Sequence, residues 1–83
     1  MKNGLIIADG SKYWYLNGQY HRADGPAIES ANGDRWWYLN GQLHRIDGPA
    51  IEYADGAKYW YLNGQEYADL KLFQQMVKLK GFW

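Results

Sequence analysis

The sequence predicts a mainly β protein, a single antiparallel meander of repeated β-hairpins closed by one C-terminal capping helix. Three observations predict it. Tyr-Leu-Asn-Gly recurs at Tyr15 to Gly18, Tyr38 to Gly41 and Tyr61 to Gly64, a constant step of 23 residues. A second punctuator keeps that step, at Asp9-Gly10, Asn32-Gly33 and Asp55-Gly56. Beyond Tyr67 the apolar period changes from two to about 3.6. Fidelity at fixed spacing is the mark of a repeat, in which each unit is one supersecondary element leaning on its neighbours.

The elements follow in order. Leu5-Ile6-Ile7-Ala8 stands in the place of Ile28 to Ala31 and Ile51 to Ala54, so the chain enters mid-unit. Lys12 to Leu16, Arg35 to Leu39 and Lys58 to Leu62 are aromatic runs free of Gly and Pro, which read as strands. Asn-Gly and Asp-Gly join strands through two-residue turns, because both central residues adopt positive φ there. Strands are expected near 5–8, 11–16, 27–31, 34–39, 50–54 and 57–62, within a meander of about seven or eight. After Asn-Gly the chain continues as Gln19-Tyr20-His21-Arg22 or Gln42-Leu43-His44-Arg45, then reverses at Asp-Gly-Pro, where Pro ends the pairing.

Alternation sorts the aromatic runs onto two faces. Trp14, Leu16, Trp37, Leu39, Trp60 and Leu62 share one. Tyr13, Tyr15, Trp36, Tyr38, Tyr59 and Tyr61 share the other. The helix is expected within about 67–81, beginning close to Asp69 as N-cap, with a stripe of Leu70, Phe73, Met76 and Val77, Lys78 and Lys80 at its negative end, and Gly81 as its stop. It can cover only one face. The Trp row should pack inward and leave the Tyr rows as an open contact surface.

The 83 residues make one domain, with hairpin repeats over about 3–66. There is no Cys, hence no disulfide framework, thiolate site or cysteine nucleophile. Five Trp, eight Tyr and two Phe take over the stabilising role that staples have in other small domains. Nine Lys plus Arg balance nine Asp plus Glu, so the footprint of non-specific nucleic-acid binding is missing. The first apolar run, Leu5 to Ala8, is too short for a signal peptide or a membrane span, and with no Cys this favours a cytoplasmic setting.

Asn40-Gly41-Gln42-Leu43-His44, then Asp47-Gly48, then Tyr53-Ala54-Asp55-Gly56 resembles the membrane occupation and recognition nexus (MORN) repeat. That family also has a 23-residue β-hairpin unit with aromatic, Asn-Gly, His-Gly and Asp-Gly landmarks. The resemblance covers residues 3 to 66, about two and a half units. Arg22 and Arg45 replace the Gly that follows His in the usual unit, and an Asp-Gly-Pro turn comes after them. This variant form is similar to short proteins of bacteria and their phages. The resemblance implies a scaffold or binding role, such as a phage or mobile-element accessory protein that binds and blocks a host defence protein, in the host cytoplasm. It does not extend to lipid, since no basic stripe or exposed apolar helix supports membrane binding.

The recurring polar cluster is His21, Arg22 and Asp24, repeated as His44, Arg45 and Asp47. His with Asp could act as a general base, and His21 with His44 could share a metal. A motif that repeats with the fold is better explained as a structural turn, so His21, Asp24, His44 and Asp47 are read as fixing a corner. No phosphate loop, serine elbow or metalloprotease helix is present, and Glu29 and Glu52 lie one unit apart rather than facing across a cleft. The expectation is a non-enzymatic protein-binding module without cofactor or metal. Its contact candidates are Tyr13, Tyr15, Trp36, Tyr38, Tyr59, Tyr61, Arg22 and Arg45. Two alternatives stand beside it: a nucleotide sponge, with Tyr15, Tyr38 and Tyr61 stacking bases while Arg22, Arg45 or Arg35 pairs phosphates, and a homo-oligomer formed through the N-terminal edge strand.

Overall fold

Four dipeptides turn the chain back on itself within two residues. Asp9 and Gly10 have φ of 52° and 81°, and Asn17-Gly18, Asn40-Gly41 and Asn63-Gly64 repeat the pattern. This is the type I′ turn, whose twist matches that of the flanking strands. The computed structural model describes residues 2–80, and among them the turns organise ten strands and one helix. The strands are β1 (Gly4–Ala8), β2 (Ser11–Leu16), β3 (Gln19–Tyr20), β4 (Ile28–Glu29), β5 (Arg35–Trp36), β6 (Tyr38–Leu39), β7 (Gln42–Leu43), β8 (Ile51–Glu52), β9 (Lys58–Leu62) and β10 (Gln65–Tyr67), followed by α1 (Leu70–Lys80).

All pairings are antiparallel. An eight-stranded sheet runs β1-β2-β4-β5-β8-β9-β10 with β3 attached to β2, while β6 and β7 pair with each other. Each aromatic run changes partner at its middle. Arg35 and Trp36 lie opposite Glu52 and Ile51 of the next unit, but Tyr38 and Leu39 lie opposite Leu43 and Gln42 of their own hairpin. Trp37, at the change, donates its N–H to the Ala50 carbonyl at 2.7 Å and accepts from the His44 N–H at 3.0 Å. That change of partner hands one unit on to the next without leaving backbone groups unpaired.

The register confirms two faces. On one lies the row Ile6, Tyr13, Ile28, Trp36, Ile51, Tyr59. On the other, Lys12, Glu29, Arg35, Glu52 and Lys58 stand opposite one another in alternating sign across five strands. Opposite charges in directly facing positions favour this register over a slipped one. Five of the eighteen charged side chains thus form a charge ladder. Along its shortest axis the molecule is only 17 Å deep, and its core is correspondingly small. Ala27 and Ala50 are fully buried within the sheet, and the apolar cluster Leu62, Tyr67 and Phe73, flanked by Trp60, Met76 and Val77, sits where α1 meets β9 and β10.

Three expectations are corrected. The helix itself starts at Leu70, close to Asp69 as expected, and Tyr67 before it pairs with Trp60 in β10, in the place that His44 holds one unit earlier. Asp69 is the N-cap, its Oδ1 accepting from the Lys71 N–H at 2.9 Å. Leu70 is exposed, so the buried stripe is Phe73 with the half-buried Met76 and Val77; Gly81 lies outside the described residues. β4 and β8 are shorter than expected, and the second aromatic run is split at Trp37 into β5 and β6, whereas β9 stays continuous through its own change of partner.

The third correction concerns register. At Asn32-Gly33 and Asp55-Gly56 only the glycine has positive φ, at 100° and 97°. Ser30 N–H donates to the Asp34 carbonyl and Gly33 N–H to the Ser30 carbonyl, closing a three-residue loop, and Tyr53, Ala57 and Gly56 repeat this. The side chains of Asn32 and Asp55 accept from the N–H two residues on rather than turning left-handed. The first hairpin instead closes with two residues, pairing Ala8 with Ser11. One residue fewer slips the register by one, so Leu5 faces Trp14 whereas its counterpart Ile28 faces Trp36. β1 therefore shows Ile6 where β4 and β8 show isoleucines Ile28 and Ile51, and turns Leu5 and Ile7 to the opposite face. Nothing charged in β1 resists the slip.

Candidate functional site

On the tryptophan face each Asp-Gly-Pro corner is organised by an arginine. The Arg22 guanidinium lies 3.8 Å from the Trp14 ring centroid, and that of Arg45 lies 3.9 Å from Trp37. Arg45 donates from Nε to Asp47 Oδ1 at 2.9 Å, and from a terminal nitrogen to the Pro49 carbonyl at 3.1 Å and Glu52 Oε2 at 2.9 Å. Arg22 makes the same three bonds to Asp24, Pro26 and Glu29. The two aspartates thus hold arginine rather than capping the turn. The glycine is needed for room: a Cβ on Gly48 would lie 2.8 Å from Arg45 Cζ, and one on Gly25 would lie 3.1 Å from Arg22 Cζ. Stacked on an indole, forked onto two carboxylates and backed by a glycine, each arginine is committed to its corner.

The histidines tie one unit to the next. His21 Nδ1 accepts from the Asn40 N–H at 3.0 Å, and His44 Nδ1 accepts from the Asn63 N–H at 3.0 Å. An accepting Nδ1 means a neutral ring with its proton on Nε2. His44 is buried, and burial lowers its pKa below the ordinary 6.5. In the first unit, Asn3 Oδ1 takes this role for the Asn17 N–H at 2.8 Å. Among the described residues no group of three His, Asp or Glu comes together to hold a metal. A groove of about 430 Å³ separates the two corners, floored by Trp37 and Leu39.

The opposite face carries two clusters of rings. Tyr20 meets Tyr15 at 5.1 Å, Tyr38 at 5.3 Å and Tyr13 at 6.3 Å between centroids. Tyr53 meets Trp36 edge-on at 6.0 Å and Tyr59 at 5.8 Å. Tyr13, Tyr15, Trp36, Tyr38 and Tyr61 are half-buried, and Tyr59 is exposed. Tyr20 and Tyr53 also belong here. Sequence reading missed them because they sit outside the aromatic runs, although Tyr53 falls two residues after Ile51 and so shares its face. The Tyr20 phenol is raised above its ordinary pKa by hydrogen bonding with Tyr15 and by burial; burial first raises Tyr38 and Tyr61.

The two sets of candidates thus part company. The ring face brings together Tyr13, Tyr15, Trp36, Tyr38, Tyr59 and Tyr61, whereas Arg22 and Arg45 stack on tryptophans of the other face. No family model matches the chain, and neither a curated protein nor a solved structure matches it. No helix among the described residues is long and apolar enough to cross a membrane.

Proposed function

We propose that this chain is a non-enzymatic, MORN-like protein-binding module whose contact surface is the tyrosine face. The observation that carries the proposal is a pair of ring clusters on the face opposite α1, Tyr20 with Tyr15 and Tyr38, and Tyr53 with Trp36 and Tyr59. The helix packs on Leu62 and Tyr67 of the other face and leaves these rings uncovered. Tyrosine contributes large contact area with few rotors to freeze and a hydroxyl for adaptable hydrogen bonding, the properties that paratopes exploit. The nucleotide reading needs Tyr15, Tyr38 or Tyr61 and the Arg22 or Arg45 guanidinium on one ligand, and here the arginines stack on tryptophans of the other face. The resemblance further suggests a phage-borne accessory protein and a host protein as its partner.

The test is site-specific photo-crosslinking in host lysate, with the crosslinker at Tyr59 or, as control, at Asp47 on the opposite side. A discrete protein adduct from Tyr59, lost in Tyr38→Ser with the fold retained, is the expected result. Trp36 is left in place because it faces the buried Ile51. An adduct from Asp47 alone moves the contact to the groove between the corners and overturns the proposal.

A further inference from the structure

β1 differs from every other strand in its surroundings. Its five residues, Gly-Leu-Ile-Ile-Ala, are all exposed, with Leu5 at 47%, Ile6 at 38% and Ile7 at 62%. Its counterpart β8 is flanked by β5 and β9, and there Ile51 is only 7% exposed. β1 pairs with β2 alone and stands at the end of the sheet order. Open edges of this kind are normally blunted by charge, proline or a bulge, and β1 has none of these.

The chemistry of the edge selects its occupant. Interior strands recognise one another through the alternating row Lys12, Glu29, Arg35, Glu52, Lys58. β1 offers no charge, so a charged strand laid on it would lose solvation without a partner. The other open end is β10, which is three residues long, carries Glu66 and is joined to α1. Pairing β1 with β10 of another copy would be head-to-tail, giving an open chain rather than a closed assembly. Only β1 itself matches β1 in length and neutrality.

We infer that β1 pairs antiparallel with β1 of a second copy, forming a two-fold dimer with one sheet running through both. The register follows from the first hairpin. A two-residue turn makes Ala8 and Ser11 a hydrogen-bonded pair, so Ile6 with Tyr13 and Gly4 with Tyr15 are hydrogen-bonded too. The backbone groups of Leu5 and Ile7 then point out of the edge. With the axis at Ile6, Leu5 of one copy exchanges hydrogen bonds with Ile7 of the other, and Ile6 meets its own equivalent. A two-fold axis normal to the sheet keeps like faces together, so the two tyrosine faces join into one surface. The dimer stands independently of the partner reading.

Sedimentation equilibrium over a wide concentration range tests this. The full chain should fit a monomer–dimer equilibrium. Ile7→Glu, which places a carboxylate beside Lys12 within its own hairpin and opposite Leu5 across the axis, should weaken the dimer at least about tenfold. Adding Leu5→Lys to Ile7→Glu sets opposite charges across the axis and should restore dimerisation in low salt. Circular dichroism checks that both variants fold. Tyr38→Ser should dimerise normally, which separates this inference from the contact-surface proposal. A wild-type chain that stays monomeric, a growing series of larger species, or a double variant no tighter than Ile7→Glu overturns the inference.

Discussion

Leu16, Leu39 and Leu62 hold one position in three successive hairpins, yet their surroundings differ steadily along the chain. Leu16 is 41% exposed, Leu39 is half-buried and Leu62 is 2% exposed. The neighbouring position shows the same trend, from the half-buried His21 to the buried His44 and Tyr67. The local sequence is almost unchanged, so the difference comes from what lies on top. Leu62 is covered by Phe73 of α1, with Met76 and Val77 beside it, whereas Leu16, two units away, lies opposite Gln19 of its own hairpin and outside that cluster. In a thin repeat protein burial is lent by neighbours, and stability should therefore fall from the capped end to the open end.

The sharpest break in that comparison is a matched pair of truncations. Leu62→Ala should cost about 2–5 kcal/mol and Leu16→Ala under about 1 kcal/mol, measured by urea unfolding, although the residue removed is identical. Equal costs would mean that α1 lends nothing to β9.

The corners come next. Arg45→Ala should cost about 2 kcal/mol, through the lost indole stack and the lost hydrogen bonds to the Pro49 carbonyl and Glu52, with Arg22→Ala somewhat less costly. Gly48→Ala should mimic the loss of Arg45, and more severely than Gly25→Ala, because its Cβ comes closer to the guanidinium. A neutral Gly48→Ala would show that Arg45 does not hold the corner in solution.

The smallest effect is a pH slope. His44 has its pKa lowered by burial, so between that value and the ordinary 6.5 the unfolded chain binds more protons than the folded one. Stability rises with pH wherever the unfolded state binds more protons. The contribution is thus complete above about 6.5 and lost as pH falls below it. Denaturant midpoints followed from pH 8 to 5 should decline through this window. His44→Gln, which retains an acceptor for the Asn63 N–H, should flatten the decline. An unchanged slope in that variant would assign the titration to another group.

The period of 23 residues, the Asn-Gly turns, the two faces and the helix with its Asp69 cap were all legible in order along the chain. Each rests on local chemistry: positive φ at Asn40-Gly41, alternation in Lys58 to Leu62, the capping carboxylate. The corner motif was legible as a repeated structural turn, though not its wiring. That Arg45 would lie on Trp37 and reach Glu52 depends on groups up to eight positions away, brought together only when the sheet forms. Tyr20 and Tyr53 joined the ring face for the same reason.

What the sequence determined by itself was the unit: where it turns, which way its side chains alternate and that it recurs. Tertiary structure decided what the unit could not carry. A two-residue turn at Asp9-Gly10 and three-residue loops at the two later copies of that dipeptide set opposite registers on nearly identical segments. The choice between them lies with cross-strand partners: Glu29 is drawn opposite Lys12 and Arg35, while uncharged β1 is free to slip. Register is a property of pairs of strands, and burial a property of stacked units, so neither is written in one unit alone.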